Sequence, residues 1–330
     1  PLPPLGGRCM VALSRQFMAL RAMLNIWSGI GLRREHDGIE QIVANIFVIA
    51  HHSRTEIPVL LADLRAWATG RGHELWMNDF DAQALNCPEL ANPRHPMDAD
   101  LVVSLGGDGT VLRAVHMLDG APVPILGVNV GTLGYLTEID PEELIDALAK
   151  WETGVSGTDY VIDARMMLSV TLHKADRSAS VSWRALNEAV LEKHQSGHTI
   201  WLDLVINGQD FARYSADGLI VSTPTGSTAY SMSARGPVVS PRHRALLITP
   251  VSPHMLFDRS LVLDPHESVH IKVVGTRPVD LAIDGRGVAS LTQDDLVVYA
   301  PDTCHAIFIR LFKEPKFHQI VRAKFGLGDE

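Results

Sequence analysis

The chain has 330 residues, 46% of them hydrophobic and 20% charged, with a formal net charge of −9. These values exclude a disordered chain and a general polyanion binder such as a nucleic-acid module, and the length leaves room for about two domains. The three cysteines, Cys9, Cys87 and Cys304, are odd in number and lack CxxC spacing, which supports neither a disulfide framework nor a zinc site and fits a reducing cytoplasm.

The first 40 residues stand apart. Five arginines, Arg8, Arg15, Arg21, Arg33 and Arg34, precede the first acidic residue, Glu35. They interrupt the apolar stretch from Met10 to Leu32, so no membrane span is expected. A poorly ordered extension and a transit peptide are the two readings, and the first is preferred.

From Asn45 a regular pattern begins. NIFVIAHH reads as a buried strand, residues 56–69 as a helix ending at Gly70 and Gly72, and HELWM as a second strand. Residues 78–98, with Pro88, Pro93 and Pro96, read as a loop. DLVVSL, the helix TVLRAVHML and the strand PILGVNV follow. Asp140, Pro141 and Glu143 mark the start of a further helix by an N-cap, a proline at N1 and acids in the first turn. Strands alternating with helices predict a parallel sheet. After about Gly154 strand-like segments separated by turns take over, from MMLSVTLHK to HAIFIRL, with Asn207–Gly208 as a hairpin signal. A mostly antiparallel β domain is expected there, and KFHQIVRAKFGL reads as a helix that can pack back on the first domain. The expected division is an extension over 1–40, an α/β domain over 41–153, a β domain over 154–312 and a tail over 313–330.

The fifteen histidines are scattered, and neither His51–His52 nor His194/His198 carries a metal-site signature. The chemistry lies elsewhere. LVVSLGGDGT places Gly106, Gly107, Gly109 and Thr110 at the carboxyl end of a strand and before a helix, where free N–H groups offer a phosphate seat. The glycines permit unusual φ/ψ and close approach of a ligand. GxxxxGK[ST] is missing, and Leu112 stands where GxGxxG needs its third glycine. Asp108 is the discriminating residue, because a carboxylate ~4 Å from a phosphate costs about 4 kcal/mol. Two uses overcome that cost: taking a proton from an attacking hydroxyl, or helping to hold Mg²⁺ against the phosphates. Both belong to phosphoryl transfer. Arg113, one turn on from Gly109, can balance phosphate charge or simply be solvated.

A second cluster is DGLIVSTPTGSTAYSMS, residues 217–233. Its hydroxyls offer donors and Tyr230 a stacking face, while Ser/Thr turn chemistry explains the string equally well. Asn187–Glu188 lies inside a strand-like segment, so one of the pair points inward and needs a partner, a ligand or a structural group.

Taken together, GGDGT at 106–110, NxGxLGY at 129–135, NE at 187–188 and DGLIVSTPTGSTAY at 217–230 resemble the NAD kinase family over about Ile46 to Leu311. GGDGT alone is shared with lipid kinases and, loosely, phosphofructokinases. The resemblance implies an α/β-plus-β fold, a Rossmann-like α/β domain followed by an all-β sandwich-like domain, and ATP-dependent phosphorylation of NAD at its adenosine 2′-hydroxyl to give NADP. It implies Asp108 as catalytic base that also touches NAD. Gly106, Gly107, Gly109, Thr110 and Arg113 fall in the phosphate region, with Gly109 also on NAD. It gives Asn187, Glu188, His198, Asp217, Thr228, Ala229, Tyr230 and Ser233 to the dinucleotide. Mg²⁺ is expected to travel with ATP rather than on a dedicated protein site. A cytoplasmic homo-oligomer, dimer or tetramer, without nucleic acid or membrane partner, completes the expectation. A lipid kinase and a non-catalytic NAD-binding regulator are the alternatives. One departure stands out: the family usually has two glycines after TAYxxSA, and Arg235 takes the first position here, where it can alter packing or nucleotide preference.

Overall fold

The computed structural model describes residues 32–36, 39–311 and 317–327. The chain divides into two compact units, one holding the described residues up to Ala164 and from Ile307 on, the other Arg165–Ala306. For residues 1–31 the expected extension lies outside the described residues. β1 (Leu32–His36) and β2 (Ile39–Val43) then pair as an antiparallel hairpin.

In the first unit β3 (Asn45–Ala50), α1 (Ile57–Arg71), β4 (Glu74–Trp76), α2 (Asp79–Ala84), β5 (Leu101–Gly106), α3 (Asp108–Leu118), β6 (Ile125–Asn129) and α4 (Leu144–Thr153) follow in chain order. The strands lie parallel in the order β4–β3–β5–β6. Every residue of β5 is buried, as a central parallel strand covered on both faces requires. Since β4 lies on one side of β3 and β5 on the other, the winding reverses between β3 and β5. Ligands of open α/β sheets bind beyond the carboxyl ends of strands at such a reversal. The glycine loop leaves the carboxyl end of β5 there, and the N–H of His51, just past β3, donates to Leu105 O at 2.9 Å.

Two local details differ from expectation. Residues 78–98 are not all loop, because the Asn78 side chain accepts the Asp81 N–H at 2.7 Å and starts α2. Two 3₁₀ turns, Pro88–Leu90 and Pro96–Asp98, complete the connection. By contrast, the helix expected after Asp140 begins as read, with a capping box between Asp140 and Glu143.

β7 (Val161–His173) leads into the second unit, followed by β8 (Ser180–Ala185), β9 (Glu188–Lys193), β10 (Ile200–Ile206), β11 (Gln209–Ala216), β12 (Gly218–Ser222), the short helix α5 (Tyr230–Ser233), β13 (Leu246–Val251), β14 (Leu261–Leu263), β15 (Val269–Val273), β16 (Val279–Ile283), β17 (Arg286–Leu291) and β18 (Leu296–Arg310). One sheet of this unit runs β8–β7–β18–β15–β10–β11, the other β14–β13–β12–β9–β16–β17. Its core comes from alternate residues of both sheets, such as Leu202 and Leu204 of one and Leu219 and Val221 of the other. An α/β unit followed by an antiparallel β sandwich is the fold class expected from the sequence. Asn207 and Gly208, at φ +52° and +75°, make the predicted hairpin turn. WRALNEAVLEK, read as one strand, is two: β8 and β9 belong to different sheets, and Leu186–Asn187 is the crossing. LVVYA and HAIFIRL are instead parts of one strand, β18, whose last residues return to the first unit and pair with β6 at Phe308. α6 (Phe317–Lys324) is the last element among the described residues.

Candidate active site

The loop after β5 is shaped differently from expectation. Gly106, Gly107 and Gly109 all keep ordinary φ, so backbone freedom is not their reason. A Cβ at Gly106 would lie 2.2 Å from Thr110 Oγ1, so Gly106 serves close packing. Cβ atoms at Gly107 or Gly109 would meet open space, which leaves the backbone approachable from outside. Gly107 is the N-cap of α3, and Asp108 is the first helical residue, where the helix dipole favours an anion.

Asp108 is held by a second loop. Its carboxylate accepts the N–H groups of Tyr135 and Leu136, each at 2.9 Å. That loop is the NxGxLGY segment, so two predicted motifs meet at one carboxylate. Arg310, almost buried, donates to Leu136 O at 3.1 Å while pairing with Glu138 at 3.0 Å and Asp163 at 3.1 Å. The Tyr135 ring packs 6.4 Å from Phe317 of α6 and lies 4.8 Å beneath the Lys324 ammonium. Burial and the Asp108 charge push the Tyr135 phenol up.

Arg113 is engaged from inside. It donates to Asp81 Oδ1 at 2.6 Å and to Ala50 O at 3.2 Å, which ties α3 to the end of β3. Asp81 is fully buried and also pairs with His52. His52 therefore serves this ion cluster, and among the described residues no group of three His, Cys, Asp or Glu is arranged to hold a metal.

In the second unit Asn187 and Glu188 are both buried at the β8–β9 crossing. Glu188 accepts the Tyr230 N–H, while its Oε2 has no hydrogen-bond partner. Burial, then the nearby Asp284 charge, push the Glu188 carboxyl up to about 8. At neutral pH it keeps its proton and can donate as well as accept.

The 217–233 block separates into two faces. Thr223 Oγ1 donates to Leu186 O at 2.5 Å, Ser227 Oγ donates to Val239 O at 3.0 Å, and Ser231 Oγ lies 3.0 Å from Thr249 Oγ1. These three hydroxyls are buried and fold the loop, as turn chemistry would have it. Thr228, Ala229, Tyr230 and Ser233 remain accessible, and these are the residues of the block that the family resemblance gives to the dinucleotide. Asp217 is paired with Lys193 at 2.7 Å, and His198 is exposed in the turn before β10. Sequence reasoning missed Asp81, Arg310 and Asp284, whose partners are distant in the chain.

A glycine loop at a sheet reversal that carries a carboxylate, where a plain phosphate loop would avoid one, is an arrangement suited to a phosphotransferase acting on a hydroxyl. Comparison with known proteins narrows the class. Residues 70–155 match the ATP-NAD kinase N-terminal domain, and residues 186–310 match the ATP-NAD kinase C-terminal domain. The NAD kinase of Geobacter metallireducens is 38% identical over 285 residues, spanning 86% of this chain and 98% of its own. That of Methanothermobacter thermautotrophicus is also 38% identical, over 86% of this chain and 96% of its own. The chain belongs to the NAD kinase family. Its fold is that of yeast NADH kinase, solved in complex with NADH (TM-score 0.77, 23% identity, 92% of this chain and 95% of that one). An NAD kinase from Archaeoglobus fulgidus, solved in complex with ATP, gives a TM-score of 0.67 at 22% identity, over 86% of this chain and 100% of that one.

Proposed function

We propose that this chain phosphorylates NAD to NADP, moving the γ-phosphate of ATP to the 2′-hydroxyl of the adenosine ribose. The observation that carries this reading is the Asp108 carboxylate, fixed by two amides at the open end of β5 beside glycines whose backbone stays accessible. A phosphate-binding loop without catalytic duty would gain by losing that charge.

Asp108 takes the proton of the attacking hydroxyl as the bond to phosphorus forms and the bond to the leaving ADP oxygen breaks. The amides at the start of α3 receive phosphate oxygens, with Gly106, Gly107, Gly109 and Thr110 shaping the loop; Arg113, its charge already matched by Asp81, braces α3 from inside. Mg²⁺ enters as part of the donor, MgATP. Asn187, Glu188 and Asp217 bind NAD, with His198 nearby, and Thr228, Ala229, Tyr230 and Ser233 line its site. A protonated Glu188 suits a sugar hydroxyl, since it can donate as well as accept. We place the enzyme in the cytoplasm as a homo-oligomer, on the family resemblance. No helix among the described residues is long and apolar enough to cross a membrane.

The test is NADP formation from NAD and MgATP, read with an NADP-specific dehydrogenase, for wild type and Asp108→Asn. Loss of a general base lowers kcat by roughly 10²–10⁴ with the fold retained. A wild-type protein that binds NAD without turnover would point to the regulator, and one that does neither to a lipid acceptor.

A further inference from the structure

Asp284 sits in the turn between β16 and β17 with φ +45°, followed by Gly285 at φ +78°. Asp-Gly is a favoured pair for a two-residue hairpin turn, and Asn or Gly at the first position would make it equally well. The carboxylate is used elsewhere. Oδ2 accepts the Leu186 N–H at 2.8 Å, and Oδ1 accepts those of Asn187 at 2.8 Å and Glu188 at 3.0 Å. In return the Asp284 N–H donates to Glu188 O at 2.9 Å.

Three successive amides converging on one anion need a special backbone conformation, which the anion stabilises. The conformation matters here because residues 186–187 lie between strands of different sheets. The opposite side of this crossing is fixed too: the Thr223 N–H donates to Asn187 O at 2.9 Å, and a Cβ on Gly226 would lie 2.1 Å from that oxygen. The backbone carrying Asn187 and Glu188 is thus clamped between the β16–β17 turn and the Thr223–Gly226 segment.

We propose that Asp284 is a positioning residue for dinucleotide recognition, gathering the Leu186, Asn187 and Glu188 amides so that the Asn187 and Glu188 side chains are preset for NAD. The proposal rests on the reading of those two residues as NAD contacts. Asp284 also acts on Glu188 by charge. The groups facing the Glu188 carboxyl are the Asp284 carboxylate, which together with burial raises it, and the Tyr230 N–H, which lowers it. Neutralising Asp284 therefore lets Glu188 ionise at lower pH.

Asp284→Asn keeps one acceptor oxygen and the turn; Asp284→Gly keeps only the turn. Both are assayed as full-length protein for thermal unfolding, kcat, and KM for NAD and for ATP between pH 6 and 9, beside Glu188→Gln. The expected result is KM for NAD raised roughly tenfold or more, most in the glycine variant, with KM for ATP near wild type. In Asp284→Asn the pH dependence of KM for NAD moves to lower pH, and in Glu188→Gln it disappears. Wild-type KM and pH profile in folded Asp284 variants overturn the proposal, as does a rise in both KM values that tracks lost thermal stability. Should Glu188→Gln itself leave NAD binding untouched, the assignment of Glu188 to the dinucleotide fails first, an outcome distinct from failure of Asp284 alone.

Discussion

Gly134 lies so close to Asp108 that a Cβ added to it would stand 2.2 Å from Asp108 Oδ1 and 2.7 Å from Thr137 Oγ1. Its φ is not positive, so space, and not backbone freedom, is the reason for glycine. The carboxylate cannot yield easily, because the next two residues of the loop donate both of their amides to it. The loop cannot yield easily either, since Arg310 holds Leu136 O and the Glu138 N–H donates to Gly127 O.

Gly134→Ala should therefore displace the base without removing it. We expect kcat to fall by about 10²-fold with KM for NAD changing far less, as a misplaced catalytic group costs rate before affinity. Steady-state kinetics beside thermal unfolding check this. A variant with wild-type kcat would show that Asp108 is not held where the reaction needs it.

Arg235 explains the departure noted in the sequence. It has φ +65° just past the end of α5, where the Gly236 N–H donates to Ser231 O at 2.7 Å. This is the left-handed residue that closes many helices, and glycine takes it without the cost of a side chain. Gly236 is a different case, because a Cβ there would meet Ser231 Oγ at 2.2 Å. The first glycine is replaceable at a conformational cost, and the second is excluded from replacement by crowding. Arg235→Gly should stabilise the protein by about 1 kcal/mol and raise the unfolding temperature by a few degrees. A lower unfolding temperature in calorimetry would show that the arginine side chain makes a compensating contact.

The parallel unit was legible because apolar runs such as LVVSL end in glycine, and buried parallel strands leave that trace. The accessible half of the TPTGSTAY block could not be told from its buried half, because hydroxyl residues that fold a turn and hydroxyl residues left facing outward look the same in sequence. α2 escaped because its one signal, the Asn78 cap, lies in a stretch dominated by prolines. β18 was divided because Pro301 and the polar residues after it look like a turn, whereas the strand continues and changes its pairing partner instead. The role of Asp284 could not be read locally at all. Asp-Gly says only turn, and the amides it binds lie 96 to 98 positions earlier in the chain.

Glu188 makes stability depend on pH in the direction opposite to an ordinary paired carboxylate. Its carboxyl stands at about 8 in the folded protein against an ordinary value of 4.5. Below pH 4.5 both the folded and the unfolded chain hold the proton, and the group imposes no penalty. Between 4.5 and 8 the unfolded chain ionises and the folded chain does not, so the folded state binds more protons and stability falls as pH rises, by at most about 1.4 kcal/mol per unit. Above 8 the full penalty is present. Glu188→Gln keeps an acceptor for the Tyr230 N–H and never ionises. The gap in unfolding temperature between Glu188→Gln and wild type should therefore widen from pH 5.5 to pH 8, with the variant the more stable at the higher pH. A gap that stays constant across this range would mean that Glu188 is already ionised at pH 5.5 and that the burial raising it is relieved by solvent.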